Sequence, residues 1–124
     1  MSVEPDQGAF RPPRFDVAVS DDPERGGTVL RVSGELDLVT EPELEAALAE
    51  VTAQPIRIDL SGLAFMDSTG LRALLSAARE YPALQISGPL QPPVQRLLEL
   101  TQTLAILPYQ SGGAGERRPP GTQS

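Results

Sequence analysis

The chain has 124 residues, which is enough for one domain with a modest core. Its formal net charge is −7, and it contains no cysteine, no histidine and no lysine, so all ten basic residues are arginine. These absences exclude disulfides, thiol catalysis and Cys-based metal sites, together with histidine acid–base chemistry and Schiff-base catalysis. We therefore expect no cofactor, no metal and no enzymatic activity.

The surroundings of the protein follow from hydropathy and charge. No apolar run approaches the roughly 18 residues that cross a bilayer, and the N-terminus has no signal-peptide pattern. An acidic protein repels nucleic acid and anionic membrane and suits a partner with a basic face. The expectation is a cytoplasmic protein with no membrane insertion and no direct contact with nucleic acid.

Composition divides the chain into three parts. Residues 1–13 are rich in proline and lack apolar periodicity, and residues 110–124 are of low complexity. Neither part can bury enough surface to offset its ordering entropy, so both are predicted to be disordered tails. Residues 14–109 form the predicted domain.

Within that domain, apolar and polar residues alternate in four short segments, which predicts strands with one buried face. The segments are 15–20, 28–33, 56–60 and 84–87. In the first, Phe15, Val17 and Val19 form the buried side. A short final strand is expected at 104–107.

Three helices are predicted from apolar residues that recur at helical spacing. The first follows Thr40, whose spacing to Glu43 is that of a capping box. The second runs from about Ser68 to Arg79, and the third begins at Pro92. Their predicted buried stripes are Leu44, Ala47, Leu48 and Val51; Leu71, Leu74, Leu75 and Ala78; and Val94, Leu97, Leu98 and Thr101.

The strand pattern decides the fold class. A sheet covered on both faces has continuously apolar strands, whereas each of these strands keeps one polar face. Helices are therefore expected on one face only. The prediction is a two-layer α/β fold with a mixed β-sheet of about four to five strands, in which the first pair is antiparallel and the later strands follow βαβ crossovers.

The segment Asp67-Ser68-Thr69-Gly70 lies at the predicted start of the second helix, after a buried strand and a tight connection. A helix start has unpaired backbone N–H groups and favours an anion. One interpretation is that Asp67 or Ser68 simply caps the helix. The other is that Ser68 is a modification site, with an accessible hydroxyl and small neighbours. Gly70 favours this interpretation, because it weakens the helix with no evident packing benefit.

Three segments in order resemble STAS domains, in particular the bacterial anti-sigma factor antagonists, over roughly 15–109. The segments are Phe65-Met66-Asp67-Ser68-Thr69-Gly70-Leu71, Val32-Ser33-Gly34-Glu35-Leu36-Asp37, and Ser87-Gly88-Pro89 followed by residues 94–100. The resemblance implies a STAS-like fold and a phosphoacceptor at Ser68. It implies a partner-binding surface around Asp37, Asp67, Ser68, Thr69 and Gly70. Arg72, which stands where relatives often have a small residue, is predicted to belong to the same surface.

The function implied by this resemblance is partner switching in bacterial transcription regulation and stress response. The unphosphorylated protein would bind an anti-sigma factor, itself a serine kinase, and free a sigma factor. Phosphorylation of Ser68 would release the complex, and a phosphatase acting on phospho-Ser68 would reset it. The alternative is a STAS accessory subunit of a membrane transport ATPase, which is not phosphorylated.

Two acidic clusters invite other interpretations. Glu35 and Asp37 could be a catalytic carboxylate pair, and Asp21, Asp22 and Glu24 could hold a hard cation. Acidic residues in turns more often bond to local backbone or face water, so neither site is expected.

Overall fold

The computed structural model describes residues 14–103 and 106–110. The predicted tails, apart from Gln110, and residues 104–105 of the predicted last strand lie outside these ranges. The elements, in chain order, are β1 (Phe15–Asp21), β2 (Thr28–Leu36), α1 (Glu41–Glu50), β3 (Ile56–Met66), α2 (Ser68–Glu80), β4 (Gln85–Ser87), α3 (Pro92–Leu100) and β5 (Tyr109–Gln110).

The strands form one five-stranded sheet in the order β1-β2-β3-β4-β5. β1 pairs antiparallel with β2, and every later pair is parallel. A parallel pair needs a long crossover connection, and α1, α2 and α3 provide one for each pair. The predicted mixed sheet with an antiparallel first pair is confirmed.

A single apolar core lies between the sheet and the helices. Leu30, Ile58 and Ile86 stand side by side in register across β2, β3 and β4, and all three are fully buried. The helices complete the same cluster with Leu44, Leu48, Leu71, Leu74, Ala77, Val94 and Leu98. Because all three helices contribute to this one cluster, they cover a single face of the sheet, as the strand pattern predicted.

The prediction of a tight connection after residue 60 is wrong, because β3 continues to Met66. The pairing of β2 with β3 shifts register between Arg31 and Ser33, and Ser61 on β3 donates its N–H to Asp59 Oδ1 at 2.9 Å. A bulge of this kind inserts an extra residue while the strand continues. The interrupted alternation therefore marks an irregular strand rather than its end.

Three smaller predictions also need correction. The last described strand is at 109–110, and the described part of the predicted strand, 106–107, is not a strand, because the N–H groups of Ile106 and Leu107 both donate to Thr103 O. Val19 lies on the edge strand β1 and is 59% exposed. Thr101 follows the end of α3 and is exposed, with its hydroxyl donating to Leu97 O at 2.7 Å.

The helix-free face of the sheet is held by ion pairs. Arg31 Nε lies 3.1 Å from Asp59 Oδ2, and Arg57 Nε lies 3.2 Å from Asp22 Oδ2. Asp22 also accepts the backbone N–H groups of Glu24 and Arg25, at 3.0 and 3.3 Å. Asp22 in the acidic turn therefore has a structural role, since it joins the β1–β2 connection to Arg57 on β3.

Burial by itself would raise the pKa of Asp59, but the hydrogen bond from Ser61 and the adjacent Arg31 outweigh it, and the pKa lies below its ordinary value. The pKa of Asp22 also lies below its ordinary value, because Arg57 and two backbone N–H groups outweigh the effect of burial. Both carboxylates therefore stabilise the folded state in their charged form.

Replacing Leu74 by alanine tests the assignment of the core. Leu74 is fully buried on α2, so Leu74→Ala should reduce the free energy of unfolding by about 2–5 kcal/mol. Leu100→Ala is the matched control, because Leu100 is 73% exposed and its loss should cost within about 0.5 kcal/mol. Urea denaturation measures both changes, and a loss near zero for Leu74→Ala would contradict the packing described.

The lowered pKa of Asp59 predicts a pH-dependent contribution to stability. The charged group stabilises the protein above the unfolded aspartate pKa of about 3.9, and this stabilisation is lost as the pH falls through the lower folded value. Asp59→Asn should therefore destabilise the protein at about pH 7 and progressively less below about pH 4. Asp16→Asn, at an exposed residue of β1, is the control. Equal losses for Asp59→Asn at neutral and acidic pH in urea denaturation would refute the prediction.

Candidate functional site

The predicted site residues meet at the carboxyl ends of β2 and β3. Glu35 pairs with Phe65 and Leu36 with Met66 in the parallel register. Immediately beyond these pairs, Asp67 donates its N–H to Leu36 O at 3.2 Å. The turn at 37–40 after β2 and the first turn of α2 therefore lie at the same edge of the sheet.

Asp67 caps α2. Its Oδ1 accepts the backbone N–H groups of Thr69 at 2.9 Å and Gly70 at 3.1 Å, while its backbone stays extended. The capping interpretation is thus correct for Asp67. The expectation that these two N–H groups are open to an anion is wrong, because the carboxylate already occupies them.

Gly70 has a packing role that its sequence position did not reveal. It is buried, and a Cβ atom there would lie 2.7 Å from both Leu36 O and Met66 Cγ. Only glycine lets the helix come this close to the end of β2. The expectation that Gly70 has no packing benefit is wrong, and within the predicted partner-binding set it offers no side chain to a partner.

Ser68 is the first residue of α2, and its side chain is exposed. The neighbouring hydroxyl residue, Thr69, is only partly exposed. Arg72 lies four residues beyond Ser68, on the same side of the helix, and is also exposed. The site therefore presents one accessible hydroxyl with one guanidinium a helical turn away.

Asp37 organises the turn that leads into α1. Its Oδ1 accepts the N–H groups of Val39 and Thr40, at 3.1 and 3.2 Å, and its other oxygen pairs with Arg14. Burial would raise the pKa of Asp37, but the Thr40 N–H and the Arg14 charge outweigh it and lower the pKa below its usual value. Asp37 is thus a charged turn residue, as the non-catalytic interpretation of the acidic pair predicted.

The predicted capping box at Thr40 does not form, because the threonine hydroxyl is engaged elsewhere. Thr40 Oγ1 donates to Glu35 O at 2.7 Å and accepts the N–H of Asp37 at 3.0 Å. Thr40 is buried, and it ties the end of β2 to the start of α1.

Three exposed apolar side chains accompany these polar residues, and the sequence pattern missed them. Leu38 is 72% exposed, Val39 is 69% exposed and Phe65 is 44% exposed. We call Leu38, Val39 and Phe65 the apolar patch. Leu38 and Val39 lie in a turn, where neither strand alternation nor helical spacing applies. The sequence feature that could have pointed to them was two adjacent aliphatic residues between Asp37 and Thr40.

Neither a metal-binding cluster nor a membrane-crossing helix is found among the described residues. No group of three or more acidic, histidine or cysteine side chains is placed to hold a metal ion there. Nor is any helix in 14–103 or 106–110 both long and apolar enough to cross a membrane.

Comparison with known proteins places the chain in a family. The family model described as "Mlab, STAS domain" matches residues 19–106. The anti-sigma-F factor antagonist RsfB of Mycobacterium tuberculosis is 38% identical over 72 residues, which are 56% of this chain and 57% of RsfB. The chain thus spans less than two-thirds of that relative. An anti-sigma F factor antagonist of Paenibacillus polymyxa is 32% identical over 94 residues, covering 68% of this chain and 78% of that protein.

A solved structure agrees with the sequence relatives. The crystal structure of an anti-sigma factor antagonist from Mycobacterium paratuberculosis superposes with a TM-score of 0.67 at 30% identity, covering 77% of this chain and 84% of that one. The fold, the order of the motifs and these relatives agree with the resemblance noted in the sequence. The chain therefore belongs to the STAS domain family.

Proposed function

We propose that this protein is an anti-sigma factor antagonist that binds an anti-sigma factor with serine kinase activity, frees a sigma factor, and is switched off by phosphorylation of Ser68. The observation that carries the proposal is an exposed serine at the first position of a capped helix, at the same edge of the sheet as the apolar patch. The names of the sequence relatives support the general role.

The apolar patch and the polar residues beside it form the proposed docking surface. Exposed aliphatic and aromatic side chains gain free energy when a partner removes them from water. Asp37 and Asp67 bring negative charge to the same edge, which favours a partner with a basic face. Binding would bury Leu38, Val39 and Phe65 around Ser68.

Phosphorylation would change this surface without changing the fold. A phosphate adds about −1.5 to −2 charges at neutral pH, beside carboxylates at Asp67 and Asp37. The N–H groups of Thr69 and Gly70 already donate to Asp67, so the phosphate would have to displace that cap or remain in solvent. Arg72 is placed one turn along to pair with it. The added charge and bulk would therefore act mainly on the bound partner.

The kinase and the phosphatase would both act on an exposed group. Ser68 is accessible, whereas Thr69 is partly covered and its N–H is held by Asp67. The geometry favours Ser68 as the acceptor over the adjacent threonine. A phosphatase acting on phospho-Ser68 would restore the binding state.

The first test is the phosphorylation state of the protein isolated from its own host. Intact mass and peptide mapping should find one phosphate, on Ser68, which is lost in Ser68→Ala. Ser76→Ala, at an exposed serine two turns along α2, and Thr69→Ala should both keep it. If no growth or stress condition gave a phosphate, the switch would be refuted and the unphosphorylated accessory subunit of a transport ATPase would be favoured.

The second test concerns the docking surface. Leu38→Ser should weaken binding to the host's anti-sigma factor kinase by about tenfold or more, since a buried leucine side chain contributes about 1.5–3 kcal/mol. Leu100→Ser, at an equally exposed leucine on α3, is the control and should bind as wild type does. Titration calorimetry measures both. Unchanged affinity in Leu38→Ser, with the fold intact, would place the interface elsewhere.

A further inference from the structure

A cavity lies at the opposite end of α2 from Ser68. Its volume is about 680 Å³, within the size range of small-molecule pockets, which is roughly 300–1,000 Å³. Arg25, Leu75, Ala78, Arg79, Tyr81, Ala83, Leu84, Gln85, Ile106 and Pro108 line it. The α2 residues that line the cavity, Leu75 to Arg79, lie about 10–17 Å along the helix from Ser68.

The charge of this cavity runs against that of the whole chain. Two of its lining residues are arginines and none is acidic, although the net charge of the protein is −7. Elsewhere in the described residues, Arg14, Arg31 and Arg57 pair with carboxylates, whereas the exposed Arg72 and Arg96 do not. Neither Arg25 nor Arg79 makes an ion pair within 14–103 and 106–110. The cavity thus holds positive charge that no described carboxylate neutralises.

Arg25 is fixed in place and incompletely satisfied. Its Nη2 donates to Ala83 O at 2.9 Å, which anchors the guanidinium across the α2–β4 connection. Its Nη1 is buried and has no hydrogen-bond partner among the described residues. A buried charged donor without a partner is costly, and such a group commonly marks the place of an unseen acceptor.

The remaining walls are largely apolar. Leu75 and Ala78 come from the last turns of α2, Leu84 precedes β4, and Ile106 is 70% exposed at the opening. Small-molecule sites typically combine such walls with a few polar groups that fix the ligand's orientation. The polar side chains here are two cations, Gln85 and Tyr81, and the two cations favour an anionic head joined to an apolar body.

We propose that this cavity binds a small amphipathic carboxylate. The carboxylate would pair with the Arg25 and Arg79 guanidinium groups, and the apolar body would lie against Leu75, Ala78 and Leu84. Guanidinium–carboxylate pairing is charge-assisted and geometrically specific, which suits a partly buried site. The proposal is independent of the function assigned to Ser68, since it uses none of the same residues.

Octanoate is the probe, and two further compounds test its apolar body and its charge separately. Titration of the full chain, followed by amide shifts in ¹H–¹⁵N spectra, should move the signals of Arg25, Ala83 and Gln85. Octanol has the apolar body without the charge, and inorganic phosphate has charge without the body. Both should bind about tenfold more weakly than octanoate. Equal binding of phosphate, or no shift with millimolar octanoate, would overturn the proposal.

Charge-removing variants identify the site. Arg79→Gln and Arg25→Gln should each weaken octanoate binding by about tenfold or more. Arg96→Gln, at an exposed arginine of α3 that does not line the cavity, is the control and should bind as wild type does. Arg25 also anchors a loop, so Arg79→Gln decides the matter if Arg25→Gln unfolds. Wild-type affinity in a folded Arg79→Gln protein would refute the assignment.

Discussion

The site depends on one close approach, between the first turn of α2 and the end of β2. Asp67 donates its N–H to Leu36 O, and one turn into the helix the absent side chain of Gly70 lets α2 lie against the same carbonyl. The parallel pairing of β2 with β3 puts the turn at 37–40 and Ser68 at one edge of the sheet, and this contact lets them lie close together there. The glycine that seemed to weaken the helix therefore has a packing role in the candidate site.

The acidic side chains at this edge each have a structural task that also shapes the proposed chemistry. Asp67 closes the start of α2, and Asp37 holds the turn into α1 while pairing with Arg14. A phosphate on Ser68 would therefore arrive beside side chains that are held in place by these bonds. A rigid, negatively charged setting of this kind turns a single modification into repulsion at an interface, with no need for a conformational change.

The two ends of α2 differ in electrostatic character. Acidic and basic side chains meet near its start, where Asp37 pairs with Arg14, whereas its last turns contribute Arg79 to a cavity that also contains Arg25 and no acidic side chain. On the face of the sheet opposite the helices, ion pairs such as Arg31 with Asp59 join neighbouring strands. The core thus supports two chemically distinct surfaces about 10–17 Å apart along α2.

Local pattern in the sequence determined the elements, the one-sided helical layer and the Asp-Ser-Thr-Gly segment, because alternation and helical spacing record which face of each element is buried. Only the tertiary structure decided the length of β3, the burial of Gly70 and the exposure of Leu38, Val39 and Phe65. A register shift against β2, the lack of room for a Cβ atom at Gly70 beside Leu36 O, and the surroundings of a turn are properties of chain segments distant in sequence. No local period encodes them, so the residues of the site could be named from the sequence while their packing could not.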